Sequence, residues 1–338
     1  MQPAVHTYPV VTFLLAGAFL LSIAVGAVFI PPAAMLPSLF GSSLSPEDAD
    51  TYATILFRIR LPHSILIMLT GAALSGSGAA YQGLFRNSLA DPYLIGVASG
   101  AGLGAVLAMT LNWPNDLLGF FTIPIAAFLG SSLTVLLVYQ LARVGKTVPA
   151  STLILAGVAV SSFASALTSF IMLRSSSEVY RSLAWLMGSG TMSGWNPVIG
   201  VLPYILFGLG VLLTSGHALN TLQFGDDQAH SLGVNVERTK LWLILAASLT
   251  TAAAVSFSGI IGFVGLIVPH VVRILWGADY RHILPLSILC GAGVLLLADT
   301  LARVVMAPQV LPVGIITALA GAPFFLWLLK SVRDQVFG

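Results

Sequence analysis

Few residues in this chain could carry chemistry, and their spacing limits what that chemistry could be. Gly145-Lys146-Thr147 has the form of the end of a phosphate-binding loop. That loop needs another glycine five positions earlier, where this chain has Gln140, and a strand leading into it, where this chain has a long apolar run. The triplet therefore reads as a basic connector, and the chain is not expected to bind ATP itself. Six histidines, His6, His63, His217, His230, His270 and His282, are scattered, and none has the His-Glu-x-x-His spacing of a zinc-protease helix. Isolated histidines of this kind are structural or interfacial, and no metal site is expected. No Ser–His–Asp arrangement or carboxylate pair can be argued from spacing, so catalysis has no support. Asp299 is the one clear acid inside an apolar run, and Arg303 lies one helical turn beyond it, the spacing of an i,i+4 ion pair.

The elements that hold these residues follow from composition. The 338 residues are 57% apolar and only 8% charged, with mean hydropathy +0.97. Soluble chains carry about 25% charged residues, and a soluble fold of this make-up would expose large apolar patches. A bilayer removes the difficulty by solvating those faces. The net charge of +2 is too small to suggest nucleic acid as a partner, and a single cysteine, Cys290, excludes a disulfide within the chain.

Val10 to Ile30 is apolar and uncharged, and no Lys or Arg precedes Arg58. A secretory signal would have a basic start and a shorter apolar core, so a retained first span is expected. Further apolar segments give spans near 10–30, 62–85, 92–111, 117–142, 149–173, 197–215, 240–258, 262–276, 282–303 and 312–330. In lipid every backbone amide must be paired internally, so all are helices, and the expected fold is an all-α integral membrane protein of about ten spans. Carriers driven by ion binding place carboxylates near the membrane midplane. With little beyond Asp299 there, energy is expected from outside the chain.

Ten spans put both termini on one side. If that side is cytoplasmic, Arg86, Arg143, Lys146, Arg238, Lys240, Arg273, Arg281, Lys330 and Arg333 lie inside, and Arg58, Arg60, Arg174, Arg181 and Arg303 lie outside. The majority and all three lysines then obey the positive-inside rule, with the outer arginines as an exception. The longest polar connector, 216–239, exceeds the usual two to eight residues. Within it Asp226 to Leu232 reads as a short helix closed by Gly233. Spans two to five and seven to ten can be laid against each other as two weak inverted blocks. The second member of each is interrupted, by Asp91-Pro92 and glycines in one and by Gly259, Gly262, Gly265 and Pro269 in the other. Such breaks mark transport pathways or simply allow close packing.

Five stretches carry a family resemblance: Arg58-Ile-Arg60-Leu-Pro62-His63 followed by Gly71 to Gly78; Gln82 to Gly96 with its Asn87-Ser88-Leu89-Ala90-Asp91-Pro92; Gly225 to Gly233; Gly259 to Arg273; and Leu311 to Phe325. In order and spacing the chain resembles the FecCD-type permeases of type II ABC importers for cobalamin, haem and iron–siderophores. The resemblance implies one transmembrane permease domain over 1–338, with 216–239 as its coupling loop. It also implies a second permease subunit, preferably an identical copy, two ATP-binding subunits that hold ATP and Mg, and a periplasmic or lipid-anchored substrate-binding protein. The chain itself would be non-catalytic and cofactor-free, in a bacterial inner membrane with cytoplasmic termini. Gly225, Asp226, Asp227, Ala229, Leu232 and Gly233 would dock on the ATPase. Arg58, Arg60, His63 and Arg303 would meet acidic residues of the binding protein, Arg being suited to bidentate carboxylate contact. The family often has Arg-Leu-Pro-Arg where this chain has Arg60-Leu-Pro-His63, which weakens one contact or makes it pH-sensitive. Asn87, Ser88 and Leu89, with Ser151 and Thr152, are expected to form the cytoplasmic gate, in a pathway of apolar walls with scattered hydroxyls. A secondary carrier without an ATPase is the alternative.

Overall fold

A computed structural model of the chain describes residues 6–26, 51–111, 119–145, 147–175, 178–189 and 194–337, with side chains as far as Trp327. Residues 27–30 of the first expected span, 117–118 of the fourth, Lys146, and the side chains of Lys330 and Arg333 lie outside the described residues. Seven helices are long and apolar enough to cross a bilayer. These are α1 (Thr7–Ala24), α2 (Thr51–Leu84), α4 (Thr122–Ala142), α5 (Ala150–Arg174), α7 (Trp195–Thr214), α10 (Val236–Ser258) and α12 (Tyr280–Val305). Two shorter apolar helices are α3 (Val97–Thr110) and α11 (Val264–Trp276), and a third apolar stretch, Val313–Trp327, opens α13 (Val313–Phe337). Together they fall on the ten expected spans, and the fold is an all-α membrane fold.

Two boundaries differ from expectation for physical reasons. α2 begins at Thr51, about three turns before the expected 62, because a π turn over Ile55–Arg60 carries the helix up to Pro62. Proline lacks an amide proton and crowds the carbonyl four residues back, and the wider turn relieves both. Arg58 and Arg60 are therefore helical rather than in a loop. The 216–239 connector contains two helices instead of one: α8 (Gly216–Leu222) precedes α9 (Asp226–Ser231). A further short helix, α6 (Val179–Leu186), follows α5.

α2 is the central element. Every residue from Thr70 to Leu84 is buried, against α12, α10, α11, α7 and α1. Glycines let backbones touch there. A Cβ on Gly71 would stand 2.3 Å from the Gly291 carbonyl oxygen, and one on Gly78 would clash with the Gly265 carbonyl. Without a hydrophobic drive between helices in lipid, such small-residue contacts supply the packing.

The two interrupted helices sit where the two blocks predict. α3 is preceded by a short 3-10 turn, Pro92–Ile95, and by Gly96 at φ +86°. α11 is preceded by Gly259 at φ +78° and Phe263 at φ +71°. The breaks satisfy one another: the Tyr93 hydroxyl donates to the Ile261 carbonyl (2.8 Å) and accepts from the Ile261 amide (3.2 Å). Irregular backbone at such depth survives only with partners of this sort. Burial is uneven around the bundle. The most apolar window of α10 is 78% buried, that of α5 only 17%.

Candidate functional site

Three groups of predicted residues can now be located. Two of them share the α9 end of the bundle and the third lies at the opposite end; the face of α5 adds a cavity that none of them lines.

At the α9 end, Gly225 (φ +105°) turns the chain into α9, and Asp226 and Asp227 occupy its first turn, where the helix dipole favours carboxylates. The helix closes as the sequence suggests. The Gly233 amide donates to the His230 carbonyl and the Val234 amide to the Ala229 carbonyl, each at 3.0 Å, with Gly233 at φ +87°. This is the Schellman pattern, in which a left-handed residue turns the last carbonyls back onto the chain. Ala229 is fully buried and seats the helix on the bundle, while Phe224 and Leu232 are 66% and 67% exposed. Two apolar side chains thus stand outward beside exposed acid. α8 anchors this unit. The Gln223 amide donates to the Gly83 carbonyl at the end of α2, and the Asn220 amide donates to Asp279 at 2.6 Å. Asp279 also accepts from Arg281, and that guanidinium first, with Asn220 behind it, holds its carboxyl well below the usual range. Sequence reasoning missed Gln223, Asn220 and Asp279, whose partners lie far along the chain.

The expected gate residues lie at the same end. Asn87 is exposed, and its side chain accepts the Leu89 amide at 2.9 Å, which fixes the turn after α2. Ser88 and Leu89 are half-buried. Ser151 is exposed at the start of α5, and the Thr152 hydroxyl bonds the Ala142 and Pro149 carbonyls, both at 2.9 Å. Asp91, two residues beyond Leu89, accepts the Tyr93 amide at 2.8 Å; burial pushes its carboxyl up from 3.8 to about 6.

The α5 face carries a cavity of about 780 Å³, lined on α3 by Ala98, Ser99 and Gly102, on α5 by Ser165, Thr168 and Ser169, and completed by Leu183 and Leu186 of α6. Its lining is apolar with scattered hydroxyls. α6 is thus a wall element that the sequence reading did not find, and its signal was an eight-residue amphipathic run too short to stand out.

At the opposite end the arginines behave differently from expectation. A helix leaves its last four carbonyls without intrahelical partners. In α1 these are Ser22, Ile23, Ala24 and Val25. Arg60 donates to Ile23 and Ala24 at 2.9 Å, and Arg303 donates to Ser22 at 3.0 Å and Val25 at 3.1 Å. Two guanidiniums therefore satisfy the whole terminus and complement its dipole. Arg303 also pairs with Asp299 at 2.9 Å, as the spacing predicts, and the His63 imidazole meets the same carboxylate at 3.0 Å. Arg60 is buried and turned inward, and the geometry does not present Arg60, His63 or Arg303 as an outward pad. Arg58 alone of the four is exposed. The histidines are likewise separate: His63 serves Asp299, and His282 accepts or donates toward the Tyr8 hydroxyl at 2.8 Å.

Comparison with known proteins agrees with this architecture. Residues 14–331 match the model of the FecCD transport family. An uncharacterised ABC transporter permease, YvrB of Bacillus subtilis (strain 168), is 45% identical over 322 residues, spanning 93% of this chain and 90% of its own. The cobalamin import system permease BtuC of Halobacterium salinarum is 47% identical over 282 residues, 83% of this chain and 75% of its own. The hemin transport system permease HmuU of Yersinia pestis is 41% identical, covering 86% and 87%. A solved transporter assigned to the metal-chelate ABC type, in an inward-facing conformation, superposes with a TM-score of 0.83 at 31% identity, over 95% of this chain and 97% of that one.

Proposed function

The chain belongs to the FecCD transport family, and from that premise we propose that it is the permease subunit of an ATP-driven importer moving a metal chelate (cobalamin, haem or a ferric siderophore) into the cytoplasm. The observation that carries this reading is the cavity of about 780 Å³ on the scarcely buried face of α5. Apolar walls with a few hydroxyls let a bulky chelate pass without gripping it. A second copy of the chain would complete the enclosure, with the path between the two copies. The cargoes named for HmuU and BtuC, hemin and cobalamin, support the chelate class.

The remaining assignments follow. Residues 1–338 form one permease domain of a bacterial inner membrane, and the α9 end and both termini face the cytoplasm, as the Lys and Arg majority favours. α9, with exposed Phe224, Leu232 and acidic first turn, docks on an ATP-binding subunit, two per dimer. ATP and Mg are held there, and this chain is non-catalytic. Movement of α9 is passed to the spans as rigid-body motion, opening the gate at Asn87, Ser88, Leu89, Ser151 and Thr152. The binding protein docks at the opposite end, on Arg58, while Arg60, His63 and Arg303 shape that end from within. Among the described residues Asp299 is the acid within an apolar span, near the outer end of α12, and it is committed to His63 and Arg303. That leaves the ion-driven carrier without support.

The test is uptake into proteoliposomes containing this chain, its ATP-binding subunit and its binding protein, offered cobalamin, haem and a ferric siderophore in parallel. Uptake of one cargo, dependent on ATP and on the binding protein, is expected. Uptake that runs without ATP would overturn the importer and restore the secondary carrier.

A further inference from the structure

The α9 end holds a charge network that the reading above does not use. Lys240, in the first turns of α10, is only 9% exposed. Its ammonium lies 2.5 Å from Asp226 of α9 and 3.5 Å from Glu237, one turn earlier on α10. The second oxygen of Glu237 accepts the Val148 amide at 3.2 Å, three residues before Ser151. The second oxygen of Asp226 stands 3.9 Å from Arg86, the residue immediately before Asn87. One carboxylate on α9 is therefore joined to both segments of the proposed gate, directly through Arg86 and through Lys240 and Glu237 to Val148.

The two arms are unequal. Arg86 and Asp226 are both about half exposed and far apart for an ion pair, and such pairs contribute little. Lys240 is mostly buried and in short contact with Asp226, and a buried ammonium cannot leave its carboxylates without a large desolvation cost. When α9 shifts, Asp226, Lys240 and Glu237 must shift together, and the Val148 amide goes with them.

We infer that Lys240 and Glu237 are positioning residues that transmit displacement of α9 to the start of α5, and so set how much transport follows from each ATP hydrolysed. The inference rests on the importer reading. A network that merely stapled α9 in place would change assembly and hydrolysis together. A transmitting one changes their ratio to uptake.

The experiment compares wild type, Lys240→Met and Lys240→Arg in proteoliposomes with the ATP-binding subunit and binding protein, measuring copurification of the ATPase, ATP hydrolysis, and uptake of whichever of cobalamin, haem or ferric siderophore the wild type carries. For Lys240→Met, hydrolysis is expected within about twofold of wild type and uptake down about tenfold, a typical coupling factor, while Lys240→Arg restores at least about half of the uptake. Unchanged uptake per ATP in Lys240→Met, or parallel loss of ATPase binding, hydrolysis and uptake, overturns the inference. Should Lys240→Met fail to reach the membrane, Glu237→Gln carries the same test, because its partly exposed side chain keeps an acceptor for the Val148 amide and loses only the charge. Wild type that takes up nothing with ATP sinks the importer reading, and the inference with it; a working wild type with an indifferent Lys240→Met sinks the inference alone.

Discussion

The two ends of the bundle use the same residue types in opposite ways. At one end Arg60, His63, Asp299 and Arg303 form a buried knot around the last carbonyls of α1, tying α1, α2 and α12. At the other, Asp226, Lys240, Glu237 and Arg86 join a six-residue helix to the ends of α2, α5 and α10, with both carboxylates partly open to water. Charge sealed from solvent with every lone pair engaged is costly to disturb and holds its elements fixed. Charge hung on a short exposed helix yields locally and leaves the core intact. The difference teaches where this molecule is built to stay still and where it is built to move.

The largest effect is expected at the fixed end. Asp299→Ala leaves Arg303 and His63 without their carboxylate in a buried setting, and should lower stability by about 3 kcal/mol, read as loss of folded chain on heating in detergent. An unchanged melting temperature would mean that the knot is decorative and would break the comparison. A smaller effect is expected from Gly233→Ala. No atom lies within 4 Å of the added Cβ, so the cost is the φ of +87° alone, about 1 kcal/mol. That cost should be confined to α9, appearing as faster hydrogen exchange there without a change in global melting. Spread of the effect through the bundle would show that α9 is not an independent unit. The smallest effect is on pH dependence. Burial raises the Asp91 carboxyl from 3.8 to about 6, so the folded chain holds this proton more tightly than the unfolded one. Its contribution is present below 3.8 and is lost as pH rises through about 6. Asp91→Asn should flatten the melting temperature over that window, and a slope unchanged by the substitution would remove Asp91 from the pH response.

Much of this was legible in the sequence, because span-length apolar runs and the glycine breaks are local signals. Asp226 to Gly233 showed its helix and its cap, and Asp299 with Arg303 showed its pair. The outer arginines were legible only as an exception to charge bias. Their reason is the terminus of α1, and orphan carbonyls become partners only once α1 lies beside α2 and α12. Phe263 at positive φ gave no signal, since nothing in a phenylalanine announces a left-handed backbone. Lys240 could be matched to Glu237 three residues away, but not to Asp226 across a turn. Gln223 and Asn220 likewise depend on where α8 folds back. What the sequence withheld were contacts between elements distant along the chain.

The sparse burial of α5 bears on how the protein is made. The helix carries exposed Ser162 and Ser169 beside buried Thr168, hydroxyls that hydrocarbon would ordinarily penalise. Each donates instead to a carbonyl one turn back on its own helix, Val158, Ala164 and Ser165, at 2.9, 2.8 and 3.0 Å. Newly inserted chain can therefore wait in lipid at little cost and give up those self-made bonds once something wetter or better fitted covers the face. The helix shelters its own polarity wherever that face meets hydrocarbon.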